Sequence, residues 1–314
     1  MILCCGEALI DMIPSPTTGG DTGFVPHAGG AVFNTAIALG RLGVKPGFLT
    51  GLSRDLFGEV LGTALSESDV DFSQSVLSDL PTTLAFVRLT NGHATYTFYD
   101  ENTAGRSLSP DNLPALPDNV ETLYFGGISL ISEPCADFYA GLALREADRR
   151  AIVMDPNIRA GFIRDEARYR ARLDKMIART DVLKVSDEDL EWILPGPGPI
   201  GEKAQAIQQK GPSVVIVTRG GEGASAWVAD GSHVDVAARK VQVADTVGAG
   251  DTFNAGVLEA LNARGLLNRA GISKITEVDM RAALSRGAEV AAITVSRAGA
   301  NPPWAHELSA LDPA

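Results

Sequence analysis

The chain has 314 residues, of which 45% are hydrophobic and 21% charged, a balance that supports a sizeable packed core and excludes wholesale disorder. Its 39 acidic and 27 basic side chains leave a net charge of −12, which argues against nucleic acid or an anionic membrane surface as partner. No apolar run reaches the roughly 18 residues needed to span a bilayer, so no membrane segment is expected.

Taken in chain order, the opening Met1-Ile2-Leu3-Cys4-Cys5-Gly6-Glu7 lacks a basic region and meets an acid early. It is therefore not expected to be a secretory signal. Residues 2–5 form a short apolar run that predicts a buried strand, with Cys4 and Cys5 pointing to opposite faces. With Cys135 the cysteines number three, none in zinc-ligand or redox spacing, so they are expected to be packing residues in a reducing, cytoplasmic setting. The stretch 10–27 is rich in Gly, Pro and Thr and has extended character. Residues 83–90 and 93–100 alternate apolar and polar around Asn91-Gly92, the strongest short hairpin signal, because both turn positions need positive φ. Together these stretches predict a small β-layer on one edge, either a lid or a sheet extension.

Further short apolar runs at 123–125, 152–154, 182–185 and 214–218 predict buried strands. Helical stretches such as 138–150 and 166–179 lie between most of them. That alternation predicts an α/β body with right-handed crossovers and a mainly parallel sheet covered on both faces.

Three Gly-rich segments could hold a phosphate. Gly196-Pro197-Gly198-Pro199-Ile200-Gly201 matches a dinucleotide fingerprint literally, but its prolines have no N–H to offer, so it reads as a rigid loop. The chain contains no Gly-Lys, which removes the Walker A loop. Val217-Thr218-Arg219-Gly220-Gly221-Glu222-Gly223 follows a buried strand, where it could contact a nucleotide or simply turn the chain into 224–228.

The third segment, Asp245-Thr246-Val247-Gly248-Ala249-Gly250-Asp251, opens a helix whose apolar residues Phe253, Val257, Leu258 and Leu261 share one face. Gly265 is expected to close that helix. First-turn N–H groups lack helical partners and, with the macrodipole, make an anion hole. Asp251 at its edge could take a proton from an attacking hydroxyl. By position alone it could equally be an acid that complements the helix dipole.

In these motifs the chain resembles the ribokinase/PfkB carbohydrate kinases over nearly its whole length. Gly29-Gly30-Ala31-Val32-Phe33-Asn34-Thr35-Ala36, leading to Leu42-Gly43, is similar to that family's N-terminal signature, and the 245–251 run to its C-terminal signature. Gly6-Glu7 with Asp11, Asp155-Pro156-Asn157-Ile158-Arg159 and the 218–223 loop occur in matching order. The resemblance implies a single kinase domain over 1–314, a three-layer α/β/α sandwich whose β-lid comes from about 10–27 and 83–100. It implies a cytoplasmic enzyme that uses ATP with Mg²⁺ to phosphorylate a small-molecule sugar. Asp251 would be the base, Gly248, Ala249 and Gly250 the anion hole, and Asp11, Gly29, Gly30 and Asn34 the sugar contacts. Thr218, Gly221 and Gly223 would lie along the nucleotide. Lys184 and Arg159 would be the cations nearest the phosphates or substrate, unless they are surface ion-pair partners.

Asp245 would be the acid beside a monovalent cation such as K⁺. Where the family often has Asn-x-x-Glu, linked to magnesium, this chain has Ser186 and Asp189. Arg159 and the run 184–192 look most like bacterial fructokinases, with the aromatic strand Tyr96-Thr97-Phe98-Tyr99 supplying lid contacts and Tyr99 among the sugar contacts. Arg106 and Arg159 would also suit a 2-keto-3-deoxygluconate kinase, where an arginine meets a carboxylate, and another sugar or nucleoside stays open. A non-catalytic sugar- or nucleotide-binding sensor on the same fold is the alternative of a different class. The resemblance also implies that the lid could pair with its copy in a homodimer.

Overall fold

The computed structural model describes residues 1–90 and 93–308, so the Asn91-Gly92 turn lies outside the described residues. The strands are β1 (Ile2–Cys5), β2 (Leu9–Pro16), β3 (Thr22–Gly29), β4 (Gly47–Leu49), β5 (Gly51–Ser53), β6 (Val76–Ser78), β7 (Leu84–Thr90), β8 (His93–Tyr99), β9 (Thr122–Gly126), β10 (Ala151–Asp155), β11 (Val182–Ser186), β12 (Val214–Thr218), β13 (Ala224–Val228) and β14 (His233–Val236). The helices are α1 (Ala31–Arg41), α2 (Leu56–Glu67), α3 (Cys135–Glu146), α4 (Glu166–Ile177), α5 (Asp187–Ile193), α6 (Ile200–Gln208), α7 (Ala249–Ala263), α8 (Glu277–Val295) and α9 (Ala305–Leu308).

The described residues form an eight-stranded sheet in the order β14-β13-β12-β11-β10-β9-β1-β4. Its strands are parallel from β4 to β12, β13 pairs antiparallel with β12, and β14 pairs antiparallel with β13. Each parallel strand is buried on both faces, which is why its sequence reads as a continuous apolar run. Side-chain alternation splits these runs between two cores. Ile2, Cys4, Val153, Val182, Val214 and Ile216 pack with α1, α7 and α8, whereas Leu3, Cys5, Ile152, Leu183, Val215 and Val217 pack with α3, α4 and α6. Cys4 and Cys5 thus face opposite layers as expected, and all three cysteines are buried thiols. The result is a three-layer α/β/α sandwich.

A second sheet, ordered β3-β2-β7-β8, flanks this body. The stretch 10–27 is therefore a hairpin of its own, and its β2 pairs in parallel with β7 of the predicted hairpin. Directly opposed residues share a face, so register decides which side chains look the same way. Asp11 pairs with His27 and Ala85, and Ala85 pairs with Phe98; Val87 pairs with Tyr96. Asp11, Tyr96 and Phe98 hence lie on one face, while Phe24, Phe86 and Tyr99 lie on the other. The decoy glycine segment links α5 to α6, its last two residues opening α6, and no strand precedes it as a strand-to-helix turn would need.

Candidate active site

The carboxyl ends of β1, β9, β10, β11 and β12 open toward one edge of the sheet, and the N-termini of α1 and α7 meet above it. Gly248 is the N-cap of α7 at φ 76°, and a side chain there would put its Cβ 2.7 Å from the Ala300 Cβ. Only glycine satisfies both the left-handed backbone and that close approach. The Gly250 and Asp251 N–H groups that follow have no intrahelical acceptor and mark a site for an anion.

Asp251, in the first turn, is 8% exposed. Asn34 Nδ2 donates to its Oδ2 at 2.9 Å, and Thr35 Oγ1 donates to its carbonyl at 3.1 Å. Burial pushes its carboxyl up to about 7; the Asn34 hydrogen bond and the Lys184 charge oppose that rise, and the Asp155 and Glu7 charges add to it. A carboxylate with that proton affinity is matched to accepting a proton near neutral pH. A dipole-complementing acid on a solvated surface would show no such elevation.

Beneath the anion hole lies a buried cation. Lys184 is 7% and Asp155 2% exposed, and they pair at 2.9 Å. A Cβ on Gly250 would sit 3.5 Å from Lys184 Nζ, so the ammonium lies directly beside the α7 N-terminus. Lys184 is therefore not a surface ion-pair partner. Asn254 Nδ2 donates to the same Asp155 oxygen at 2.7 Å and to Tyr124 Oη at 2.9 Å.

At the α1 end of the cleft, a Cβ on Gly29 would come within 2.2 Å of Asp11 Oδ2, so the absence of a side chain is what lets Asp11 occupy its place. Burial raises the Asp11 carboxyl to about 6. Gly30 caps α1, whose Ala31 N–H is taken by Glu7 Oε1 at 2.9 Å; Ser129 N–H donates to the other Glu7 oxygen at 3.2 Å. The Tyr96 hydroxyl is raised first by burial and then by Asp11, with Arg159 opposing and Asp245 and Asp251 adding.

Tyr96 faces this cleft, and Tyr99 does not: it is 61% exposed on the opposite face and packs edge-on to Phe86. Of the two tyrosines in the expected lid strand, strand parity turns Tyr96 toward Asp11 and Tyr99 away from it, so Tyr99 does not reach the cleft as expected. Next to the cleft a recess of about 400 Å³ is lined by Tyr96, Phe98, Arg106, Ile128, Phe162 and Tyr169 among others. Arg106 in its wall is paired with Asp100 at 2.8 Å and donates to the Glu133 carbonyl at 2.8 Å. Arg159 is exposed and, among the described residues, donates to the neighbouring Ile158 carbonyl at 3.2 Å.

At the β12 end, Thr218 closes the strand and Gly221 is exposed in the turn that follows. Gly223 is buried, its backbone pressed against the Val236 carbonyl, so it serves the turn into β13 rather than an open surface. Asp245 accepts from Val247 N–H at 3.0 Å and Gly299 N–H at 2.9 Å, tying the anion-hole loop to the segment after α8. Asp189 forms a reciprocal capping box with Ser186 and takes Ile158 N–H at 3.0 Å. Among the described residues no group of three His, Cys, Asp or Glu is placed to hold a metal.

Asp155, Asn254 and Tyr124 are not singled out by the sequence motifs, and Tyr96 is expected only as part of the lid strand 96–99. Asp155 stood inside a quoted motif; Tyr96 needed the register of β7 on β2. The Ser-x-x-Asp spacing at Ser186 and Asp189, a departure from Asn-x-x-Glu, is also the spacing of a capping box.

The pfkB family carbohydrate kinase profile matches residues 1–307. A fructokinase of Rhizobium leguminosarum bv. trifolii is 50% identical over 284 residues, covering 90% of this chain and 86% of the relative. A fructokinase of Klebsiella pneumoniae is 31% identical, covering 83% and 84% of the two chains. The crystal structure of fructokinase with bound ATP from Xylella fastidiosa superposes with a TM-score of 0.88 at 26% identity, covering 98% of this chain and 97% of that one. The chain belongs to the pfkB family of carbohydrate kinases.

Proposed function

We propose that this pfkB-family kinase transfers the γ-phosphoryl group of ATP to a hydroxyl of fructose, with Asp251 as the base. The observation that carries the reading is the buried Asp251 carboxyl at the N-terminus of α7, held by Asn34 beside the Gly248–Gly250 turn and the Lys184 ammonium. Phosphoryl transfer asks for positioning and charge stabilisation rather than covalent chemistry. Asp11, Gly29, Gly30 and Asn34 hold the sugar so that one hydroxyl faces Asp251. Asp251 takes its proton as the oxygen attacks phosphorus, and the Gly250 and Asp251 N–H groups with Lys184 stabilise charge on the transferred group, the Ala249 N–H being held by the Thr246 carbonyl. Thr218 and Gly221 border the nucleotide, and Arg159 swings in from solvent toward the phosphates or sugar.

Magnesium bound to phosphate oxygens and water would neutralise nucleotide charge. Asp189 would act on it only at one remove, since its oxygens already accept backbone N–H groups. Asp245 would border a K⁺ ion, each of its oxygens keeping a lone pair beyond the one bond it accepts. The β3-β2-β7-β8 sheet is the lid of a single kinase domain in the cytoplasm. Its outward aromatic face, Phe24, Phe86 and Tyr99, supports a homodimer made by two lids; light scattering that shows a strict monomer rules this out.

The relatives named above are fructokinases, and the Arg106 pairing favours the same neutral sugar. A guanidinium already neutralised by Asp100 is a poor partner for the carboxylate of 2-keto-3-deoxygluconate. The test is ADP release with ATP and a panel of ketoses and aldoses, run with fructose and 2-keto-3-deoxygluconate side by side. The highest kcat/KM is expected with fructose; preference for the keto acid overturns the substrate, and no turnover with any sugar points to a non-catalytic sensor.

A further inference from the structure

Helix α7 presents a second polar side chain on the Asp251 side. Asn254 follows Asp251 by three residues, the spacing that sets two side chains next to each other on a helix. It is buried, at 4% exposure, and donates to Asp155 Oδ2 and Tyr124 Oη. An amide nitrogen has two hydrogens, so these two bonds use both. Asp155 Oδ2 also accepts from Lys184 Nζ, and Asp155 Oδ1 accepts from the Asn157 N–H at 3.2 Å. Tyr124 Oη is in turn within 3.5 Å of Thr35 Oγ1, the hydroxyl that bonds the Asp251 carbonyl.

The consequence is that Asp155 is fixed at both oxygens, and the cation it holds is fixed with it. Lys184 uses one of its three N–H groups on Asp155 and keeps the others for the space beside Gly250. We propose that Asn254 is a positioning residue for phosphoryl transfer: it locks the Asp155 carboxylate so that the Lys184 ammonium stays at the α7 N-terminus, where charge develops on the transferred group. Without Asn254 the carboxylate turns about its own axis, and the flexible lysine follows it away from the anion hole. The inference rests on phosphoryl transfer occurring at this end of α7. It adds that one helix sets both the base and, through Asn254, the cation.

A double-mutant cycle tests it, using the full chain with ATP and its best sugar. Asn254→Leu is expected to lower kcat roughly ten- to hundredfold, as a misplacement of about 1 Å can, while leaving the sugar Kd unchanged. Combined with Lys184→Met, the losses are expected not to multiply, and the double variant turns over about as slowly as Lys184→Met alone. Tyr124→Phe, which removes the other anchor of the Asn254 amide and changes little volume, provides a second arm if Asn254→Leu does not fold. Its smaller kcat loss must also vanish in the Lys184→Met background. Losses that multiply in both cycles, or folded variants with unchanged kcat, overturn the proposal. Failure of the base assignment reads differently: Asp251→Asn would then retain turnover, whatever the cycle shows.

Discussion

Replacing Asp251 by asparagine separates what this side chain does for chemistry from what it costs the fold. The carboxyl is raised from an ordinary 3.8 to about 7, chiefly because burial penalises its charged form. That difference corresponds to on the order of 4 kcal/mol against ionisation in the folded state. The sign follows from proton binding. Below about pH 4 the carboxyl is neutral in both states and nothing is lost. Between pH 4 and 7 the unfolded chain releases the proton while the folded chain keeps it, so the native state loses stability as pH rises. Above pH 7 the full penalty applies. An asparagine is never charged, and its amide oxygen can still accept from Asn34 Nδ2. Asp251→Asn should therefore have a Tm several degrees above wild type at pH 8, with a gap that closes toward pH 4. Its kcat should fall at least about a hundredfold, with ATP and sugar still bound. Calorimetry across that pH range and a coupled ADP assay read the two effects. A Tm difference independent of pH would refute the buried-charge argument, and near-normal turnover would refute the base.

Three further outcomes follow from local geometry. Gly29→Ala places a Cβ 2.2 Å from Asp11 Oδ2, so the carboxylate must leave its position; the sugar KM should rise tenfold or more, by loss of roughly one charge-assisted hydrogen bond, with the ATP KM unchanged. Tyr96→Ala should raise the sugar KM severalfold, whereas Tyr99→Ala should leave kinetics intact and shift sedimentation toward monomer; the reverse pattern would show that the lid faces are misassigned. Ser186→Ala removes the side-chain acceptor for the Asp189 N–H. It should lower the urea midpoint by the equivalent of about 1 kcal/mol, and an unchanged midpoint would show that the capping box carries no stability.

Legibility in this chain divides along the range of the interactions involved. The buried parallel strands were readable because burial on both faces leaves an uninterrupted apolar run, and 2–5 and 214–218 correspond to β1 and β12. The predicted helices 138–150 and 166–179 overlap α3 and α4, but both end earlier than expected, since periodicity marks the middle of a helix better than its caps. Gly265 does follow the end of α7, at φ 68°. The edge strand β14 alternates exposed and buried residues and β4 has only three, so neither makes an apolar run like that of β1.

The candidate site was legible as motifs and illegible as a network. Gly29-Gly30, Asn34 and the 248–251 turn announce themselves because backbone approach and a first-turn acid leave local traces. Nothing local says that Asn34 reaches Asp251 across 217 positions, or that Asn254 and Lys184 share one Asp155 oxygen. The Tyr96 and Tyr99 assignments show the same boundary at its sharpest. Both lie in one alternating strand, and the hairpin pattern correctly predicts that they point to opposite faces. Which face covers Asp11 depends on the parallel pairing of β7 with β2, a contact between segments more than 70 residues apart. Alternation gives parity, and only long-range pairing gives its sign. For that reason the residues that hold the reacting groups in place, rather than the reacting groups themselves, are the ones that emerge from the structure.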